Sequence, residues 1–323
     1  MPGVEPVIQA ANVASMQPES WSLSEPYAGL QAQAAGLAEA AGFAPTTVEL
    51  HPRAPWSMLP AAIWPWPLRA VGMRTPPQGL LFTAGGTAAA VGAALRPRGN
   101  IVVQIQHPRM PISRFDLIVA NRHDELTGPN VITIRTALHR ATQARLASAR
   151  AAWLPRLAHL PRPLVAVLVG GGNGRFRLGE TEAAALAASL AGMMHRDAVG
   201  LALTPSRRTA PKVRHVLASA LAPRGAWIWD MTGENPYFGL LACADAIVVT
   251  TDSISMVSEA AATHAPVLLA ELPGRSRRVS LFLDGLRQEH RVRNFDGRLQ
   301  TWPVTPIDDT FMAAAEMRRR LGF

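Results

Sequence analysis

Leu164-Val165-Ala166-Val167-Leu168-Val169-Gly170-Gly171-Gly172-Asn173-Gly174 is the stretch on which the fold turns. Six consecutive apolar residues leave no polar face. As a strand they must be covered on both sides, which is the condition of a parallel sheet between helix layers. The glycines end the strand in a tight turn, and the alanine-rich run 180–194 has the composition of a covering helix. The alternation continues toward the C-terminus, with strands predicted at 200–203, 227–229, 246–250 and 266–270. Helices are predicted between them at 211–221, 236–242 and 253–263, with Thr209 and Asn235 as caps.

A second set of alternating elements precedes this one. Strands are predicted at 21–24, 46–50, 79–84, 101–105, 117–120 and 131–134, with helices at 28–42, 86–96 and 142–157. The chain therefore reads as α/β, with two Rossmann-like domains whose parallel sheets face a central cleft. The expected divisions are a loose tail at 1–20, a first domain at 21–158, a second at 159–307, and a final helix at 308–323. Asp308 or Asp309 caps that helix, which returns toward the first domain. Pro155, Pro161 and Pro163 mark the expected linker, with the cleft near 155–163.

At 323 residues the chain is long enough for two cores. Hydrophobic residues at 48% and charged ones at 17% exclude a disordered chain. The net charge of +9 comes from arginine, since Lys212 is the single lysine, and it favours anionic partners. Scattered arginines and 6% aromatic residues argue against nucleic acid. Cys243 stands alone and reads as a core thiol, so no intrachain disulfide forms and thiol-rich metal sites are ruled out. The nine histidines form no HExxH or close metal spacing, and there is no Gly-x-Ser-x-Gly elbow. No metal and no cofactor are expected. Without a basic region and apolar run at the N-terminus, the protein is expected to be cytoplasmic. The Pro/Trp-rich segment 54–68 reads either as a loop and short helix packed on the first domain or as a patch touching the inner face of a membrane.

Three loops carry the chemistry of an anion site. Gly171, Gly172, Asn173 and Gly174 form a turn that presents backbone amides, although the run matches neither the dinucleotide fingerprint nor the Walker pattern. Asp252, Ser253 and Ser255 sit where a strand passes into a helix; the serines are suited to phosphate oxygens and Asp252 to capping. Glu259 lies two turns further on, where a carboxylate can accept from ribose hydroxyls. Ser206, Arg207 and Arg208 follow a third strand and can neutralise phosphates. Together they predict a ligand outside the carboxyl ends of an open sheet.

The run Trp229-Asp230-Met231-Thr232-Gly233-Glu234-Asn235-Pro236-Tyr237-Phe238-Gly239 resembles the mitochondrial fission elongated-mitochondria family and its bacterial relatives. So do the segments 204–209 and 121–130 and the Thr-x-Asp-Ser-x-Ser-Met-x-Ser-Glu run ending at Glu259. The resemblance extends over about 21–321. That family in turn is similar to glycosyltransferases with two Rossmann domains, the GT-B type, and in particular to the enzyme that adds N-acetylglucosamine to a lipid-linked peptidoglycan precursor. The resemblance implies a nucleotide diphosphate sugar held by the second domain, with Ser258 and Glu259 at the ribose. It also implies an acceptor, cytosolic or lipid-linked, on the first domain. The family's first loop, Asp-Gly-Arg-Ala-Gly-His-Glu-Asn-Gln, is altered here to Glu25-Pro26-Tyr27-Ala28-Gly29-Leu30-Gln31-Ala32-Gln33. Leu30 cannot take a proton where the family has histidine, leaving His123 or Asp124 as the acceptor-side base. Two functions stay open: a metal-independent glycosyltransferase, and a non-catalytic binding or recruitment protein that keeps the fold.

Overall fold

The computed structural model describes residues 18–323; positions 1–17 of the tail expected at 1–20 lie outside the described residues. Two six-stranded sheets, parallel throughout, organise the chain. The first is built from β1 (Ser20–Ser24), β2 (Thr46–Glu49), β3 (Leu80–Ala84), β4 (Ile101–Ile105), β5 (Leu117–Asn121) and β6 (Val131–Ile134), in the order β2-β1-β3-β4-β5-β6. Helices α1 (Ala28–Ala40), α2 (Pro67–Ala70) and α3 (Gly86–Leu95) lie between its strands in sequence. After α4 (Gln143–Trp153) the second sheet begins with β7 (Leu164–Val169), β8 (Gly200–Pro205), β9 (Trp227–Ile228), β10 (Ala246–Thr250), β11 (Val267–Ala270) and β12 (Val292–Asn294). Its order is β12-β11-β10-β7-β8-β9. Interleaved are α5 (Glu180–Asp197), α6 (Pro211–Leu221), α7 (Tyr237–Cys243), α8 (Ile254–Ala261) and α9 (Arg277–Gln288), and α10 (Asp309–Leu321) closes the chain.

All six residues of β7 are fully buried, as are Ile247, Val248 and Val249 of β10 beside it. Alternate β7 side chains feed separate cores on the two faces, Leu164, Ala166 and Leu168 on one and Val165, Val167 and Val169 on the other. Strand order reverses between β7 and β10 in this sheet and between β1 and β3 in the first. A crevice opens outside the carboxyl ends of strands at such a point.

The domain boundary falls earlier than the sequence suggested. Leu146 and Trp153 of α4, with Leu157 and Leu160, are buried in the second domain's core alongside Leu240 and Leu241 of α7. Gly239 fits against the Trp153 ring, where a Cβ would collide. A helix attaches to whichever core its apolar stripe can join, and α4 joins the later one, so 155–163 lies inside the second domain. The cleft is lined instead by residues of both domains outside 155–163. Two elements were not predicted, β12 and α9. The final helix packs on the first domain through Ala313, Ala314 and Met317, and Asp308 caps it by accepting from Thr310 and Phe311.

Two short connections lock the halves together. Arg135, just beyond β6, pairs through Nη2 with Asp309 Oδ1 at 2.6 Å and through Nη1 with Glu289 at 3.0 Å. The Ala137 amide donates to Ser258 Oγ at 2.9 Å. Cys243 is buried. No helix among the described residues is long and apolar enough to cross a membrane.

Candidate functional site

The β7/β10 crossover brings the predicted loops together through one buried carboxylate. Asp252 accepts from the Gly171 amide at 3.0 Å, the Thr250 hydroxyl at 2.7 Å and Arg208 Nη2 at 3.0 Å. Its side chain is wholly shielded from solvent. A Cβ on Gly170 would collide with this carboxylate, and one on Gly171 with the Arg208 carbonyl. These two glycines are therefore small because the protein's own groups approach them.

That arrangement corrects three expectations. Gly171 spends its N–H on Asp252, so it is not a ligand donor. Asp252 does not cap α8; Ser253 does, accepting from the Met256 amide at 3.4 Å. Thr209 does not cap α6, because its hydroxyl donates to the Gly170 and Val169 carbonyls. Ser206 likewise serves the turn, with Oγ accepting from the Arg208 amide at 3.2 Å. Asn173 braces the glycine loop, donating to the Asp252 carbonyl at 3.1 Å and accepting from the Arg175 and Phe176 amides.

These loops converge on a cavity of about 270 Å³ between the domains. Asn173, Arg208, Ser253, Ser255 and Arg278 line it from the second domain, and Gln33, Gln106 and Asn121 from the first. The exposed Gly172 and Gly174 amides have no partner among the described residues. Arg207 is exposed and does not line the cavity. Two helix N-termini approach one another here: Ser255 Oγ of α8 lies 3.5 Å from where a Cβ on Gly29 of α1 would sit.

Ser258 and Glu259 are more buried than a ligand-contact role suggests. Ser258 has no exposed surface, and its hydroxyl donates to the Ile254 carbonyl while accepting from Ala137. It joins the domains and has nothing left for a ribose. Glu259 accepts from the Tyr237 hydroxyl at 2.5 Å through one oxygen, and its other oxygen has no partner among the described residues. Tyr237, in the Thr-Gly-Glu-Asn-Pro-Tyr run, was not among the expected site residues. Only its position in that motif pointed to it.

A second cavity of about 780 Å³ adjoins the first, sharing Gln106 and Arg278, and is lined by Glu25, Leu30, Gly85, Gly86, His107, Arg109, His123 and Asp124. His123 does not fit the role of base. Arg278 Nε donates to its Nε2 at 2.7 Å, so that lone pair is taken. Burial, then the Arg278 charge, push its pKa down to about 4 against the opposing pull of Asp124. His107 is also engaged, with Nδ1 accepting from the Arg109 amide at 2.8 Å. Asp124 Oδ2 accepts from the Asn121 amide at 3.3 Å, and its Oδ1 lies 3.8 Å from Arg278 Nη2. Among the described residues no group of three or more histidine, cysteine, aspartate and glutamate side chains is placed to hold a metal ion.

The sequence profile of Mitochondrial fission ELM1 matches residues 28–321. The chain belongs to this family. It is 34% identical to the Mitochondrial fission protein ELM1 of Arabidopsis thaliana over 248 residues, covering 68% of this chain and 58% of the plant protein. The chain thus spans little more than half the length of that relative. A Rickettsia prowazekii protein, RP120, is 26% identical over 72% of this chain and 77% of its own. In three dimensions the ELM1-family chain is similar to Medicago truncatula UGT71G1 complexed with UDP-glucose (TM-score 0.53, 11% identity, 95% and 94% of the two chains covered). It is also similar to a putative UDP-N-acetylglucosamine 2-epimerase from Listeria monocytogenes (0.54, 12%, 94% and 96%) and to the S. aureus MnaA–UDP co-structure (0.52, 12%, 95% and 97%). These likenesses establish the GT-B-like fold.

Glu259 gives the site a pH signature. Burial raises its pKa from 4.5 to about 7, and the Tyr237 hydrogen bond only partly opposes this. An acid whose folded pKa exceeds its unfolded one binds its proton more tightly when folded. It adds stability below the unfolded value and loses that contribution as pH rises through the folded pKa, here from about 4.5 to about 7. Urea titrations at about pH 5 and pH 8 should show wild type losing roughly 3 kcal/mol that Glu259→Gln retains. Equal pH dependence in the two proteins would show that the carboxyl is not a shifted acid.

Proposed function

We propose that this ELM1-family protein binds a nucleoside diphosphate sugar in the cleft and acts as a metal-independent glycosyltransferase. The observation that carries the reading is the convergence of Arg208, Arg278, Ser253 and Ser255 on one cavity at the β7/β10 crossover. Two guanidinium groups suit the two charges of a diphosphate, and the first turn of α8 adds its unpaired amides and the positive end of its dipole. Free amides at Gly172 and Gly174 extend the same surface. Glu259, which is buried and lines neither cavity, has one oxygen held by Tyr237 and the other without a partner among the described residues, and we assign that second oxygen to the ribose. The resemblance in fold to proteins solved with UDP-glucose and UDP supports the same ligand class.

A second reading, a binding protein without turnover, is favoured by the acceptor side. Leu30 replaces the family's histidine, and both nearby imidazoles spend a ring nitrogen on internal hydrogen bonds. Calorimetry with nucleoside diphosphates beside an assay of sugar release separates the two. Binding is expected in either case, and Glu259→Gln should weaken it by about 1.5–3 kcal/mol, the scale of a hydrogen bond to a charged group. Absence of binding to any nucleoside diphosphate would remove both readings.

The proposal extends to a peripheral membrane contact. Between Glu49 and Asp116 the chain has seven arginines and no carboxylate side chain. Within that stretch Trp64 packs into the domain, but Met58, Ile63 and Trp66 are 83, 64 and 57% exposed. Exposed apolar side chains in a stretch whose only charges are cationic complement an anionic bilayer. The protein should sediment with phosphatidylglycerol vesicles and not with phosphatidylcholine ones, and Ile63→Glu with Trp66→Glu should abolish this. Unchanged sedimentation of the double variant would contradict the assignment.

A further inference from the structure

The 780 Å³ cavity needs a proton acceptor if the bound sugar is to be transferred, and its two histidines are committed elsewhere. His123 accepts from Arg278, and His107 from the Arg109 amide. Asp124 lies between the Asn121 amide and the Arg278 guanidinium. One carboxylate lining the cavity is left. Glu25, at the end of β1, has no hydrogen-bond or ion-pair partner for its side chain among the described residues, and it is only half-buried. Its Oε2 lies 3.8 Å from where a Cβ on Gly85 would sit, and Leu30 Cδ1 lies 2.8 Å from the same point. Glu25 therefore stands beside the residue that replaces the family's histidine, at the mouth of the β1/β3 crossover.

We infer that Glu25 is the general base of this protein, taking the proton of an acceptor hydroxyl bound in the cavity beside Gly85 and Gly86. The inference rests on the nucleotide-sugar reading of the adjoining cavity. In the step, the acceptor hydroxyl oxygen forms a bond to the anomeric carbon as the bond from that carbon to the diphosphate oxygen breaks. The diphosphate leaves with the bonding electrons, next to Arg278 and Arg208. The hydroxyl proton passes to Glu25, which later releases it to solvent. With water as acceptor the same step is donor hydrolysis, so no acceptor need be known to observe it.

The cavity also limits the acceptor. Its lining is divided between the cations Arg109 and Arg278 and the apolar Leu30, Pro60, Ala61 and Ala62. A hydroxyl compound bearing a phosphate or carboxylate beside an apolar part matches that division.

The test follows UDP release from UDP-glucose and UDP-N-acetylglucosamine by wild type, Glu25→Gln and Glu25→Asp, with UDP affinity and circular dichroism measured on all three. Glu25→Gln should be folded, bind UDP within about twofold of wild type, and release it about 100-fold or more slowly, the usual contribution of a general base. Glu25→Asp should keep part of the rate. Turnover by Glu25→Gln within about threefold of wild type, with UDP binding intact, would overturn the inference and leave the donor site standing. Wild type that binds UDP but never releases it from either sugar nucleotide would also overturn it, in favour of the non-catalytic reading. Wild type that binds no UDP would remove the donor site and the inference together.

Discussion

The cleft depends on the buried carboxylate of Asp252. An unpaired charge with no solvent contact is costly, so the surrounding structure is arranged to satisfy it. The Gly171 amide ties it to β7, the Thr250 hydroxyl to β10, and Arg208 to the loop after β8. Three strand ends are fixed relative to one another by a single side chain. Gly170 has to be glycine to admit it, and Arg208 is held at the cavity wall by it. A free carboxylate at the cleft would repel an anion. Paired with Arg208 and shielded from solvent, it orients that cation at the cavity wall.

The same economy sets the relation between the domains. Ser258, one residue before Glu259, holds the Ala137 amide of the connecting segment. Arg278, at the start of α9, reaches across to His123 and Asp124 while lining both cavities. Arg278 thus both lines the cleft and joins the domains, whereas Ser258 joins them from behind the cavity wall.

Most of the fold was legible in the sequence because buried parallel strands carry their signature in every residue. The uninterrupted runs at β3, β7 and β10 could hardly be anything else. β12 was missed because it is a three-residue edge strand with one buried side chain, Val292. The helix α9 was missed although Val279, Phe282, Leu283 and Leu286 recur at helical spacing, since arginines and a glycine interrupt the apolar count. The boundary error at α4 had no local signal. Which core a helix joins is decided by partners far away in sequence, here Gly239 and Leu240 of α7. The site was legible as a set of loops but not as a set of bonds. Glycine turns, serines and arginines at strand ends marked the loops that meet at the β7/β10 crossover, whereas the commitment of Gly171, Ser258 and His123 to internal partners is a property of three-dimensional contact. Tyr237 and Glu25 show the reverse case, in which ordinary residues acquire a role only from what lies beside them.

Hydrogen–deuterium exchange of the full chain with and without saturating UDP tests the central claim most directly, because the claim names which backbone amides are free. Exchange should slow in the segments 170–176 and 252–259, where Gly172, Gly174 and the first turn of α8 present unpaired N–H groups. No slowing at either segment, or protection confined to other parts of the chain, would contradict the account.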